Sequence, residues 1–117
     1  MGDCSKPIKK LLREYLTKAY EHELHQELTK LESSFAEWRQ GIISSGELSY
    51  RLHHYETGPS RELFKRYNDG LPDMAVAYAI VVGILKQEEI PAELLEAIEK
   101  PLSFFQSLKE RNQLKEP

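Results

Sequence analysis

The chain has 117 residues, of which 30% are charged, with a formal net charge of −3 and a single cysteine. A chain of this length forms one domain with a sizeable core, and one cysteine excludes an intramolecular disulfide and a cysteine-based zinc site. The slightly acidic balance argues against nucleic acid as a partner, and the absence of an apolar leader argues against a membrane. We therefore expect one cytoplasmic domain over residues 1–117, with flexible ends at 1–5 and 112–117.

The first predicted element is a long helix, because apolar residues recur at helical spacing from Ile8 to Trp38. The apolar positions before and after His22 centre on faces that differ by more than a quarter turn. This offset predicts a helix that is bent or broken near His22, or one whose two halves contact different partners. Gly41 is expected to end the segment.

A second helical region follows a capping signal, since Ser44 and Glu47 have the spacing in which both side chains bind free backbone N–H groups. The sequence Thr57-Gly58-Pro59 predicts a stop, because proline disfavours helical geometry in the residue before it. A short helix over 60–67 would then complete a corner at 47–67 that resembles a helix-turn-helix.

The most apolar segment is Met74 to Leu85, twelve residues without a charged side chain. It is shorter than the ~20 residues that cross a bilayer, so protein must enclose it. Pro72 and Asp73 suit a helix start after a turn at Asn68-Asp69-Gly70, which predicts a buried central apolar helix over 73–88. Pro91 predicts the next helix and Pro101 a break before the last one. The expected fold is an all-α single-domain bundle of about five or six helices.

The corner at 47–67 holds the candidate interaction surface, because exposed Arg61, Lys65 and Arg66 are expected there beside the aromatic Tyr55 and Tyr67. Arginine and tyrosine are enriched at recognition surfaces, and excess apolar area elsewhere supports a dimer. The leading hypothesis is therefore a non-enzymatic protein–protein interaction module that acts as a homodimer. The candidate surface residues are His54, Tyr55, Gly58, Arg61, Glu62, Lys65, Arg66 and Tyr67.

Two alternatives use the same part of the chain. Arg61, Lys65 and Arg66 could enter a groove of nucleic acid, although the acidic chain predicts weak binding. A metal could be held by His22 and His25, which share one helix face, together with His53 and His54. Against a metal site, adjacent helical residues such as His53 and His54 point about 100° apart.

Catalytic chemistry has little support in the sequence. Its six glycines never form a phosphate-binding run, and Cys4 lies near the start of the chain, where no base is positioned to activate it. We therefore expect no enzymatic activity, no catalytic residues and no cofactor.

The stretch from Gly46 to Asn68, GELSYRLHHYETGPSRELFKRYN, resembles a segment found in short uncharacterised bacterial proteins. The resemblance covers about a fifth of the chain and implies a small all-helical bacterial family to which no activity is attached. It implies no functional residue. It directs attention to His54, Gly58, Arg61, Glu62 and Tyr67 as the first positions to probe.

Overall fold

The computed structural model describes residues 5–117, which contain helices and no strand. The predicted all-α single-domain fold is therefore confirmed. The α-helices are α1 (Lys6–Arg39), α2 (Ser45–Tyr55), α3 (Arg61–Phe64), α4 (Pro72–Val81), α5 (Ala92–Ala97) and α6 (Glu99–Glu110). None of the helices in this range is both long and apolar enough to span a bilayer.

Helix α1 is a single uninterrupted helix of 34 residues. Ser5 caps its start, with its Oγ accepting a hydrogen bond from the Ile8 N–H, and Gly41 follows its end with a φ of 76°. The suggested break near His22 is therefore wrong. The two halves of α1 contact different neighbours instead, because the first half packs on α4 and α5 and the second half packs on α2.

The predicted stop at Thr57-Gly58-Pro59 is wrong, because the backbone stays helical from Ser45 to Asp69. Pro59 lies inside a π-helical turn, Glu56–Ser60, and a second such turn, Lys65–Asp69, follows α3. A proline ring collides with the carbonyl four residues earlier in an α-helix, and the wider π-helical turn relieves that contact. The chain therefore has no helix-turn-helix corner at 47–67. It leaves the helical path only at Gly70, which is extended.

Helix α4 begins as predicted, with Pro72 in its first turn and Asp73 Oδ1 accepting a hydrogen bond from the Met74 N–H at 2.8 Å. It ends at Val81 rather than near Glu88. Gly83 has a φ of 89°, a left-handed conformation that glycine adopts at low cost and that terminates helices. The backbone then turns, and only Gln87–Glu89 forms a short 3₁₀ helix.

The core forms where α4 packs against both α1 and α6. Val76, Ala77 and Ala79 are fully buried, and Leu94 of α5 is also completely enclosed. The break between α5 and α6 lies at Ile98, not at Pro101. Pro101 instead occupies the first turn of α6, where the missing N–H of proline costs little.

The molecule is elongated, with principal extents of 56 × 33 × 25 Å. Its radius of gyration is 17.3 Å, whereas a compact domain of this length has a value of about 13 Å. In the hydrophobic core, the residues from α1 run only from Ile8 to Leu24. The second half of α1 and helix α2 therefore project from the core as a two-helix hairpin, and we call residues 24–55 the arm.

Candidate functional site

A buried carboxylate lies in the middle of α1. Glu23 is only 6% exposed, and its neighbours across the fold are Arg66 and Tyr67 in the second π-helical turn. Arg66 Nη1 donates to both carboxylate oxygens, at 3.1 Å and 2.9 Å, and Tyr67 Oη donates to Oε2. Every buried side-chain nitrogen or oxygen in residues 5–117 has a hydrogen-bond partner, so no buried atom of the Glu23 carboxylate is left without one. We call Glu23, Arg66, Tyr67 and Tyr78 the arginine cluster.

Two tyrosine rings hold the Arg66 guanidinium in place. Its central carbon lies 5.0 Å from the ring centre of Tyr78 and 6.0 Å from that of Tyr67, within the range of cation–π attraction. Burial raises the pKa of Tyr67, and its hydrogen bond to Glu23 raises that pKa further; burial also raises the pKa of Tyr78. Both phenols therefore stay neutral at physiological pH, and Tyr67 acts as a hydrogen-bond donor to the carboxylate.

The arginine cluster borders an open cleft of about 670 Å³. Helix α4 and the loop before it supply Leu71, Met74 and Tyr78, and α6 supplies Phe105. Residues 115–117 form another wall, where the Lys115 carbonyl oxygen accepts a hydrogen bond from Tyr78 Oη at 2.8 Å. Flexibility of residues 112–117 stays a prediction, and residues 1–4 of the other predicted flexible end lie outside the described part of the chain, as does Cys4.

The sequence does not single out the arginine cluster, because Glu23 is one of many charged residues in α1. The available signal was its register: Glu23 follows Leu12, Leu16 and Ala19 at helical spacing, on the face that enters the core. A charged residue on such a face predicts a buried partner. The identity of that partner could not be predicted, because Arg66 is 43 residues away in the chain.

The predicted interaction surface does not form one exposed patch. Arg66 is half-buried, so its predicted exposure is wrong, and Tyr67, assigned to the same interaction surface, is only 3% exposed. The buried carboxylate of Glu23 binds both side chains. Arg61 pairs with Glu56 at 3.4 Å. Two of the three positive charges assigned to a nucleic-acid surface are thus already paired within the chain. His54, Arg61, Glu62 and Lys65 are exposed, and Tyr55 and Gly58 are half-buried.

The four histidines do not assemble a metal site. In residues 5–117, no three His, Cys, Asp or Glu side chains are grouped so that they could hold an ion. His22 Nε2 is 3.3 Å from Gln26 Nε2, and the His54 ring stacks on Tyr50 with ring centres 6.2 Å apart. His25 and His53 are exposed. Each histidine is therefore better explained as a surface residue than as a ligand.

The arm carries an apolar stripe on one side. Leu28, Phe35 and Leu52 remain 49%, 38% and 37% exposed. Leu28 and Phe35 are seven residues apart and so share one face of α1. On the opposite side of the hairpin, Arg51 binds Glu37 at 3.2 Å and Ser34 at 3.1 Å. Arg51 and Leu52 point about 100° apart on α2, and Phe35 and Glu37 point about 200° apart on α1. Leu52 and Phe35 therefore lie on the flank away from the Arg51–Glu37 pair.

Comparison with known proteins adds no functional information: no family model, curated protein or solved structure matches the chain. The function must therefore be inferred from the arm and the arginine cluster themselves. These two features lie at different places in the fold. The arm presents unpartnered apolar surface, and the cluster presents a fixed charge beside a cleft.

Proposed function

We propose that this protein is a non-enzymatic interaction module that acts as a homodimer, in which the arm of each copy covers the arm of the other. The observation that carries the proposal is the apolar stripe of Leu28, Phe35 and Leu52 on the arm, which the rest of residues 5–117 leaves 49%, 38% and 37% exposed. An amphipathic helix gains stability only when another element covers its apolar side. A second arm supplies that element, and two hairpins together make a four-helix layer.

The shape of the chain supports pairing between arms. The second half of α1, residues 24–39, is about 24 Å long at 1.5 Å per residue, and it extends beyond the core. A monomer gains nothing from holding Leu28 and Phe35 in water at the end of such a projection. In a twofold dimer the apolar stripe of one subunit contacts the same stripe of the other, so each stripe buries the apolar side chains of its partner.

The charge of the arm is compatible with self-association. Residues 24–55 hold three basic side chains and four acidic ones, which gives a formal charge of −1. Two arms would therefore repel each other only weakly at physiological salt. Arg51 binds Glu47 and Glu37 along the other flank, so these charges already have partners within each copy.

The remaining exposed residues of the predicted surface are assigned to a further protein partner. His54 lies near the end of the arm, and Arg61, Glu62 and Lys65 lie on the helical path that continues from it. Phe64 beside them is 53% exposed. An exposed aromatic side chain surrounded by charged ones is typical of a recognition surface. A bacterial, cytoplasmic setting belongs to the same proposal and rests on the single cysteine and on the resemblance of residues 46–68.

Replacing Phe35 by glutamate should convert the dimer to a monomer. The substitution places a charge in the proposed interface twice, once per subunit, and burying an unpaired charge is costly. Sedimentation velocity should give a mass of twice 13.6 kDa for the wild-type protein and 13.6 kDa for Phe35→Glu. Phe104→Glu is the matched control, because Phe104 is 52% exposed on α6, away from the arm. A monomeric wild-type protein, or equal dissociation by both variants, would refute the proposal.

A further inference from the structure

The cleft beside the arginine cluster contains an arginine edge that the fold does not use. Arg66 binds Glu23 through Nη1 alone. The hydrogen bonds that Arg66 makes within residues 5–117 use neither Nε nor Nη2. Since no buried side-chain nitrogen in that range lacks a partner, these two atoms are open to solvent, and Arg66 lines the cleft. The Nε–Nη2 edge carries two parallel N–H groups, the arrangement that binds a carboxylate through two hydrogen bonds.

This edge is held rigidly. Glu23 fixes one end of the guanidinium, and the Tyr78 ring lies 5.0 Å from its central carbon. A buried ion pair contributes little net stability compared with apolar residues of the same size. A fixed arginine does lower the entropic cost of binding an anion, because its side chain is already ordered. The arrangement therefore favours recognition over simple packing.

The rest of the cleft selects the kind of anion. Leu71, Met74 and Phe105 provide apolar walls, which suit a hydrocarbon or aromatic body. Glu62 and Glu116 also line the cleft, so a dianion such as a phosphate group would meet repulsion that a single carboxylate meets less strongly. A cleft of about 670 Å³ accommodates a small organic acid.

We propose that this cleft binds a small monocarboxylic acid with an apolar body, with the carboxylate on the Nε–Nη2 edge of Arg66 and the apolar body against Met74 and Phe105. Tyr78 contributes twice: its ring orients the guanidinium, and its hydroxyl holds the segment at Lys115 that forms the adjacent wall. The site does not depend on the arm, so it stands whether or not the protein is a dimer.

Titration of the full chain with naphthylacetate, followed by ¹H–¹⁵N NMR, tests the site. We expect shifts at the Arg66 Nε–H signal and at backbone signals of residues 66–78 and 105. The neutral analogue naphthylacetamide should bind at least ~10-fold more weakly, because it lacks the charge that makes these hydrogen bonds strong. Naphthyl phosphate should also bind more weakly than naphthylacetate.

Variants distinguish a loss of ligand binding by the Nε–Nη2 edge of Arg66 from a loss of folded structure. Arg66→Lys keeps a positive charge for Glu23 but removes the paired N–H groups, so affinity for naphthylacetate should fall about tenfold. Arg61→Lys is the matched control and should bind normally. Phe105→Ala should weaken both the acid and the amide while leaving the preference for the acid. Equal binding of acid and amide to the wild-type protein, shifts confined to other residues, or no binding at millimolar ligand would overturn the proposal.

Discussion

Replacing Arg66 by alanine should destabilise the protein by about 3 kcal/mol, because it leaves the carboxylate of Glu23 buried without its cation. Glu23 is 6% exposed, so its carboxylate depends on protein partners rather than on water. Tyr67 would remain as the only hydrogen-bond donor to the carboxylate among the residues described. Urea unfolding followed by circular dichroism, at one fixed protein concentration, measures the loss.

Two comparisons make this prediction specific. Arg61→Ala should change the free energy of unfolding by less than about 0.5 kcal/mol, because the Arg61–Glu56 pair is mostly exposed and water replaces it. In the double variant Glu23→Leu with Arg66→Met, most of the stability should return, since no buried charge remains. If Arg66→Ala lowered the free energy of unfolding as little as Arg61→Ala, the Glu23–Arg66 pair would not be buried in solution.

Replacing Leu94 by alanine should cost about 3 kcal/mol, within the range measured for fully enclosed leucines. Leu94 is completely buried and is one of the largest side chains with no exposed surface. Helix α5 has only six residues, too few to be stable without tertiary packing. Loss of its main buried side chain should therefore loosen α5 from α1, the helix that it contacts.

Leu71→Ala is the matched control for this substitution. It removes the same atoms from a residue that is 68% exposed, so we expect less than about 0.5 kcal/mol. Urea unfolding of both variants and of the wild-type protein, again at one concentration because dimers gain apparent stability by mass action, measures the difference. Similar losses for Leu94→Ala and Leu71→Ala would contradict the position of α5 in the core.

The fold class was predictable because the apolar residues of α1 recur at helical spacing, and because the alanines and the length of the α4 segment favour a helix over a buried strand. The charge-free run from Met74 onward was too short for a bilayer and had to be enclosed. The helix ends were less predictable. Gly83 and Pro59 are both strong helix breakers in sequence, yet Gly83 ends its helix and Pro59 does not. The difference lies in the π-helical turn around Pro59, which no local sequence pattern indicated.

The candidate site was less predictable than the fold. The sequence predicts an exposed Arg66 within the 47–67 corner, whereas the structure places both Arg66 and Tyr67 against Glu23. Contacts between residues so far apart in the chain follow from the packing of whole helices, which one sequence does not specify. The apolar residues Leu28 and Phe35 were recognised, but whether their own chain covers them could be decided only from the three-dimensional arrangement.

The proposal that a second copy covers the arm is tested most directly by amide hydrogen exchange measured at two protein concentrations. An arm that pairs with another arm opens locally less often as association increases, whereas local opening of α6 does not depend on association. Over about a hundredfold rise in concentration, exchange in residues 28–38 should slow markedly, and by more than exchange in residues 99–110 of α6. The proposal would be contradicted if exchange in residues 28–38 did not depend on concentration while mass measurements showed a monomer at every concentration.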